Sequence, residues 1–389
     1  MQRFRTHFIR PNFFVPFVVF MVKNIPAPVI QSPGCFDQGT KTARLIVVAT
    51  MSPDRPCTKN AEISPIAMLT RRQALVAGLT LLPAPALWRS ALASPMPQFV
   101  EGVVRLPSGR RIGYAEFGDP SGRLVFYFHG TPGARIEAGL IADEATAVGV
   151  RLVALDRPGI GASTYQSGRR ILGLPADVAC VADALGYGGT SFGVLGLSGG
   201  APYALAMVKC LPQRLTHVAV VSGHTPMCGT EAPAGGEDQL IAWVGRRPRL
   251  ASLAFRVAGN QLRKHPDMVI HKVAASWAES DRQLVLCNPV YRKALVDTLS
   301  EATRCGPDGI VTDVTLLGSN WGFRLGDMPP ASVSFWHGGG DPIAPPTMGH
   351  YFQRHVAGSE LTIDPHAGHL TMLKWHAAEI LGRFAAQLN

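Results

Sequence analysis

The chain has 389 residues, 47% of them hydrophobic and 16% charged, with 41 Gly and 31 Pro. That is enough apolar material for one large or two ordinary domains, and it excludes disorder, a collagen or a small disulfide scaffold over most of the length. A formal charge of +10 would ordinarily point to nucleic acid or an anionic surface, but residues 1–93 hold 11 Lys and Arg against 3 Asp and Glu, a net of +8, so residues 94–389 carry only +2. No nucleic-acid partner is expected.

The basic N-terminal region reads as targeting. Thr70-Arg71-Arg72-Gln73-Ala74-Leu75 sets a twin arginine before an apolar stretch that ends at Trp88, and Ala91-Leu92-Ala93 supplies the small residues of a cleavage site. Residues 68–93 resemble a bacterial twin-arginine export signal, although Ala74 stands where that motif favours a large apolar residue, which leaves the ordinary secretory route open. The alternative is an amphipathic helix packed on the domain, which Pro83 and Pro85 would break. A signal normally opens a protein, so translation is expected to begin at Met68 or Met51. Residues 1–67 are then an upstream extension, punctuated by Pro26, Pro28, Pro33, Pro53, Pro56 and Pro65. A rival signal or anchor is the apolar run 13–22 behind Arg3, Arg5 and Arg10, but it falls short of the roughly 20 residues that a spanning helix needs. The mature form is expected to be exported, periplasmic or secreted, without stable membrane insertion.

From residue 99 short β-rich runs alternate with helical stretches, the pattern of an α/β fold with a mostly parallel eight-stranded sheet. Runs 100–104 and 111–117 read as an antiparallel pair joined by Pro107-Ser108-Gly109. Buried strands follow at 124–128, 152–155, 192–197, 218–221, 333–336 and 360–363, with helices near 135–148, 173–186, 200–211, 345–356 and 370–387. Residues 226–328 break the alternation: they are helical, carry Arg246-Arg247 and Arg263-Lys264, and are far too long for a loop. They are expected to form a cap over the face where such sheets bind ligands, with 94–225 and 329–389 as the core. The basic pairs read as a solvated face. Trp277, Trp321 and Phe323 point to an apolar acyl or alcohol pocket. Of seven cysteines, Cys180, Cys210, Cys228, Cys287 and Cys305 follow the signal and Cys35 and Cys57 precede it; none has zinc-ligand spacing. One or two disulfides among the last three, or buried thiols, are the alternatives.

The strongest motif is Gly196-Leu197-Ser198-Gly199-Gly200, a G-x-S-x-G between an apolar strand and a helix. The serine sits on a tight strand-to-helix turn whose flanking positions tolerate little side chain, and the helix N-terminus favours developing negative charge. Other features stand in the order of the α/β-hydrolase family, which the chain resembles. Phe128-His129-Gly130-Thr131-Pro132-Gly133 is similar to the family's H-G-x-P-G turn, and Asp156-Arg157-Pro158-Gly159-Ile160-Gly161-Ala162-Ser163 to its D-x-P-G-x-G-x-S turn. The resemblance implies backbone N–H groups of Thr131 and Gly199 as an oxyanion hole and gives His129 a turn-shaping role.

A serine nucleophile needs a base, and the base needs an orienting carboxylate. Asp341 follows the seventh strand in His337-Gly338-Gly339-Gly340-Asp341-Pro342, and Gly368-His369-Leu370 resembles the family's catalytic-histidine loop, giving the order Ser198, Asp341, His369. His366 is the rival base; Asp313 and Asp327 are rival acids that precede the expected strand. Substrate contacts are expected from His129, Gly130, Leu197 and Trp321. The resemblance implies a serine hydrolase acting on a small-molecule carboxylic ester of fairly apolar character, with no metal or cofactor. Amide hydrolysis like that of prolyl aminopeptidases and carbon–carbon hydrolysis use the same triad, and a non-catalytic ligand-binding protein on this fold is the alternative from another class.

Overall fold

The computed structural model describes residues 99–227 and 233–386. The expected export signal, the extension before it, and Cys35, Cys57 and Cys228 lie outside the described residues. Eight strands form one sheet: β1 (Val100–Arg105), β2 (Arg111–Gly118), β3 (Arg123–Phe128), β4 (Val150–Leu155), β5 (Phe192–Leu197), β6 (Leu215–Val221), β7 (Val333–Gly338) and β8 (Glu360–Asp364), in the spatial order β1-β2-β4-β3-β5-β6-β7-β8. β2 runs antiparallel to both neighbours and the pairs from β4 to β8 are parallel.

The residue types explain the arrangement. β5 and β7 are buried along their whole length, as expected of central strands covered on both faces. Edge strand β1 leaves Val100 and Val103 exposed. Alternation of side chains divides the interior into two layers: Phe126, Phe128 and Val194 face one, Val125, Tyr127 and Leu195 the other. The first layer is covered by α2 (Leu174–Ala184) and α3 (Ala201–Cys210), and the second by α1 (Ala142–Ala147) and by α12 (Ala377–Ala385), which contributes Ile380, Leu381 and Phe384. α1 is preceded by a 3-10 segment at Arg135–Ile141, so the helix expected at 135–148 is two pieces. The helix expected at 370–387 is likewise divided, into α11 (His369–Trp375) and α12, at His376, whose ring turns back to Asp364 Oδ2 at 2.9 Å.

Between β6 and β7 the chain leaves the sheet for six helices: α4 (Asp238–Arg246), α5 (Pro248–Lys264), α6 (Pro266–Ala274), α7 (Glu279–Cys287), α8 (Pro289–Ala302) and α9 (Asp308–Leu317). They carry a small core of their own, including Leu262, Ile270, Val285 and Leu295. α10 (Pro346–His355) returns the chain to β8. Among the described residues no helix is long and apolar enough to cross a membrane. The thiols of Cys180, Cys210 and Cys305 are in no disulfide, so the pairing entertained for Cys305 does not form; its Sγ donates to the Gly161 carbonyl instead.

Candidate active site

Three strand ends and one loop converge. Ser198 directly follows β5 and opens a 3-10 turn, Ser198–Gly200, that leads into α3. Its φ of 52° is left-handed, an arrangement worth roughly 1–3 kcal/mol of strain in a residue with a side chain, and the backbone is held there by the buried packing of Gly199 and Gly200.

Asp341 leaves β7 through two glycines. Its Oδ1 accepts the N–H groups of Ile343 and Ala344 at 2.8 and 3.1 Å, which fixes the carboxylate plane and leaves Oδ2 to accept from His369 Nδ1 at 2.7 Å. A carboxylate only accepts, so the proton sits on Nδ1 and Nε2 is left as the basic nitrogen. Both side chains are buried. Burial, the largest single influence, would lower the His369 pKa; the Asp341 charge and hydrogen bond, with Asp281 and Glu237, outweigh it and raise the pKa to about 9. Ser198 Oγ forms no hydrogen bond to His369 among the described residues; both groups lie on the wall of the same cavity of about 190 Å³.

Gly130, Thr131 and Leu197 line the same wall. Thr131 packs on Gly199: a Cβ at Gly199 would lie 2.4 Å from Thr131 Oγ1 and 3.3 Å from Thr131 N. The two groups expected to donate to an oxyanion are therefore neighbours. Two sequence expectations do not hold at this wall. Trp321 is buried away from the cavity, its indole N–H donated to the Leu317 carbonyl at 3.2 Å and its ring tilted against Phe323, so it is a packing residue. His129 is fully buried behind the turn, where Nδ1 donates to the Gly130 carbonyl at 2.8 Å. Burial and the neighbouring Arg157 push its pKa well below 6.5, so it is neutral and its donor is spent on the turn, as the resemblance implied. His366 lies outside the cavity as well, while Trp277 is on its wall.

Several residues of the site gave no signal in the sequence. Asp281, at the start of α7, looks like an ordinary first-turn acid of its own helix. It crosses instead to the histidine helix: Oδ2 accepts from His369 N at 2.6 Å, and Oδ1 from Leu370 N, Thr371 N and Thr371 Oγ1 at 3.0, 2.8 and 2.8 Å. Gly368, at the cap position of α11, has no side chain to satisfy those N–H groups, and a Cβ there would lie 2.4 Å from Asp281 Oδ2. Ser222 Oγ, from the end of β6, donates to the His369 carbonyl at 3.0 Å, so the histidine backbone is held on both sides.

The turn after β3 is held from the same inserted helices. Asp313 of α9, a rejected rival for the acid, is buried and accepts from Arg157 Nε at 2.7 Å and from Arg169. Burial alone would raise its pKa, but the two guanidinium groups hold it well below the usual carboxylate range. Arg157 passes the constraint on, donating to the carbonyls of His129 and Gly130 and to Thr131 Oγ1. Glu137 accepts Gly130 N–H at 2.7 Å and Tyr127 O–H at 2.9 Å from below.

Glu137 and Glu237 bring two further carboxyl groups to the cavity wall, each raised by burial to about 7. Glu237 Oε2 lies 3.7 Å from His224 Nε2, beyond a hydrogen bond, and burial keeps that imidazole neutral with a pKa near 4. The remaining wall is aliphatic and aromatic, including Leu240, Val273, Trp277, Leu295 and Val314 from the inserted helices. A carboxylate that orients an imidazole, a strained serine and neighbouring backbone N–H groups, on a largely apolar cavity, can transfer a proton from the serine and stabilise negative charge on a bound carbonyl.

Removing the Asp281 carboxylate leaves three backbone N–H groups of α11 without their acceptor. Asp281→Ala is expected to cost about 3–5 kcal/mol in urea unfolding, and Asp281→Asn, which keeps one carbonyl acceptor, less than half as much.

The sequence profile described as the alpha/beta hydrolase family matches residues 125–379. No curated protein matches the chain. Solved structures that resemble it include a hydrolase from Pseudomonas aeruginosa, 19% identical over 74% of this chain and 98% of that one, with a TM-score of 0.54. An esterase from Exiguobacterium antarcticum is 17% identical over 73% and 98%, with a TM-score of 0.54. An epoxide hydrolase from Vigna radiata is 17% identical over 75% and 98%, with a TM-score of 0.55. Likeness at these identities bears on the fold alone. The profile match spans well over half of the sequence and includes the turn after β3, Ser198, Asp341 and His369; the chain belongs to the α/β-hydrolase family.

Proposed function

We propose that this protein is a serine hydrolase that cleaves carboxylic esters of small to medium, fairly apolar substrates through an acyl-enzyme. The observation that carries the reading is the buried 2.7 Å contact between His369 Nδ1 and Asp341 Oδ2 on a cavity that also holds the strained Ser198. With Nδ1 committed to Asp341, Nε2 is the atom that takes the Ser198 proton as Oγ attacks the carbonyl. The oxyanion is received by the N–H groups of Thr131 and Gly199. The imidazolium then protonates the leaving alkoxide, and the same nitrogen activates water to release the acid. A serine rather than an aspartate as nucleophile favours an ester over an epoxide, and the apolar wall favours an uncharged acyl or alcohol chain next to the scissile bond. The N-terminal region supports an exported enzyme that begins after Ala93, which N-terminal sequencing of secreted material would reveal as Ser94.

On p-nitrophenyl esters Ser198→Ala is expected to lower kcat by at least about ten-thousandfold with the fold intact by circular dichroism; retained turnover would remove Ser198 from the reaction. The pH dependence follows from His369. The base must be neutral, and its pKa is raised, so kcat/KM of the free enzyme rises with pH along a limb centred well above the ordinary 6.5, toward 9. The titratable groups around it are Asp341, Asp281, Glu237 and Glu137, which favour the protonated ring, and His224 and His337, which disfavour it when charged. Asp281→Asn removes one of the anions and should move that limb to lower pH. Trp277→Ala should shift acyl-length preference toward longer chains. Trp321→Ala should cost about 3–5 kcal/mol of stability and leave that preference unchanged.

A further inference from the structure

One carboxyl group on the wall of the apolar cavity is only half satisfied. Glu137, on the 3-10 segment before α1, is 5% exposed. Its Oε1 accepts two donors, Gly130 N–H at 2.7 Å and Tyr127 O–H at 2.9 Å, and these fix the side chain. Oε2 has no hydrogen-bond partner among the described residues and opens on the cavity that Ser198 and His369 share. A buried carboxyl oxygen without a donor is costly, and the aliphatic side chains of that wall, Leu197, Leu295 and Leu370 among them, offer none. Glu237, the other carboxyl on the wall, is different: no hydrogen bond among the described residues anchors its side chain, and its nearest polar neighbour is His224 at 3.7 Å.

The unpaired oxygen is close to the nucleophile, and glycine keeps the space between them open. A Cβ placed on Gly130 would lie 3.5 Å from Glu137 Oε2 and 3.6 Å from Ser198 Cβ, so one point beside the turn is in van der Waals reach of both. A Cβ on Gly133 would lie 2.7 Å from the same oxygen and cover it. A substrate attacked by Ser198 can therefore present a polar group to Oε2 a few bonds from its carbonyl carbon. Burial holds the Glu137 pKa up at about 7, so both protonation states are present near neutral pH. A hydroxyl pairs with either, donating to the carboxylate or accepting from the acid. An ammonium pairs with the anion only, and it brings a further charge into a largely apolar cavity beside Arg157.

We propose that Glu137 Oε2 is a subsite for a hydroxyl group of the substrate, so that the ester acted on carries a hydroxyl a few bonds from the scissile carbonyl in an otherwise apolar frame. The proposal rests on the serine-hydrolase reading of the cavity. It makes Glu137 a specificity-determining residue, whose Oε1 holds the turn after β3 and whose Oε2 selects the substrate. The hydroxyl can belong to the acyl or to the alcohol part, and the test separates the two.

The acyl arm compares p-nitrophenyl esters of 2-hydroxy and 3-hydroxy acids with those of the parent acids, of their O-methyl ethers and of the matching amino acids. The alcohol arm compares 2-hydroxyethyl and 3-hydroxypropyl butyrate with propyl and butyl butyrate. In one arm and at one position the wild type should favour the hydroxy ester by about tenfold in kcat/KM over its counterparts without the hydroxyl. Glu137→Met, which keeps the bulk and removes the carboxyl, should erase this preference, and Glu237→Gln should leave it in place. Any loosening of the turn slows both esters of a pair alike and cancels in their ratio. No preference in either arm, an amino ester preferred to the hydroxy ester, or a preference that survives Glu137→Met overturns the subsite. A readout that needs no change at Glu137 is the crystal structure of Ser198→Ala with the preferred hydroxy ester: the hydroxyl should lie within hydrogen-bond distance of Oε2, and a hydroxyl placed elsewhere rejects the subsite. If no ester is turned over, the serine-hydrolase reading is what fails. Calorimetric binding of the free hydroxy and parent acids to the wild type then decides the subsite: tighter binding of a hydroxy acid supports it, and equal binding rejects it.

Discussion

A carboxylate taken out of water needs donors, and four buried aspartates of this protein find theirs at the candidate site and in the turns beside it. Asp341 finds the ring of His369. Asp281 finds the N-terminus of the helix that begins with His369. Asp313 finds Arg157, which grips the turn after β3 through two carbonyls and the Thr131 hydroxyl. Asp156 accepts Arg135 N at 2.7 Å, Arg135 Nη1 at 2.8 Å and Ala162 N at 2.7 Å, closing the turn after β4. None of the four can move without leaving donors unpaired, so the His369 ring, its helix and the turn after β3 are set by the requirement that these acids be satisfied.

Two of these acids, Asp281 and Asp313, belong to the helices between β6 and β7. The insertion thus does more than supply a greasy wall. It completes the cap of the histidine helix from one side and clamps the turn after β3 from the other, so its position and the geometry of the site are linked. Arg135 adds a third tie, reaching from the 3-10 segment to Glu301 of α8 at 2.5 Å. A hinged opening of the whole insertion would break all three ties together.

The fold was legible because its signal is local. Runs such as 192–197 and 333–336 are apolar throughout and the turns after them carry glycine, which is the pattern of a mostly parallel sheet. Ser198, Asp341 and His369 were legible because each sits at a strand end or on a loop after one, where sequence order maps onto position. The supporting shell was not, because it is made by contacts between segments far apart in the chain. Asp281 reaches His369 across 88 residues and Asp313 reaches Arg157 across 156. By its own neighbours each is a plain helix acid. Trp321 erred in the other direction: an aromatic in a cap invites a substrate role, yet its indole N–H is spent on the helix before it.

The central claim is that Ser198 is an activated nucleophile, and the most direct measurement is intact-protein mass spectrometry after treatment with a fluorophosphonate. The account predicts one adduct per chain, mapped by peptide sequencing to Ser198, absent in Ser198→Ala and formed far more slowly in Asp341→Asn. A native, folded protein that takes no adduct, or takes one at another residue, would contradict it.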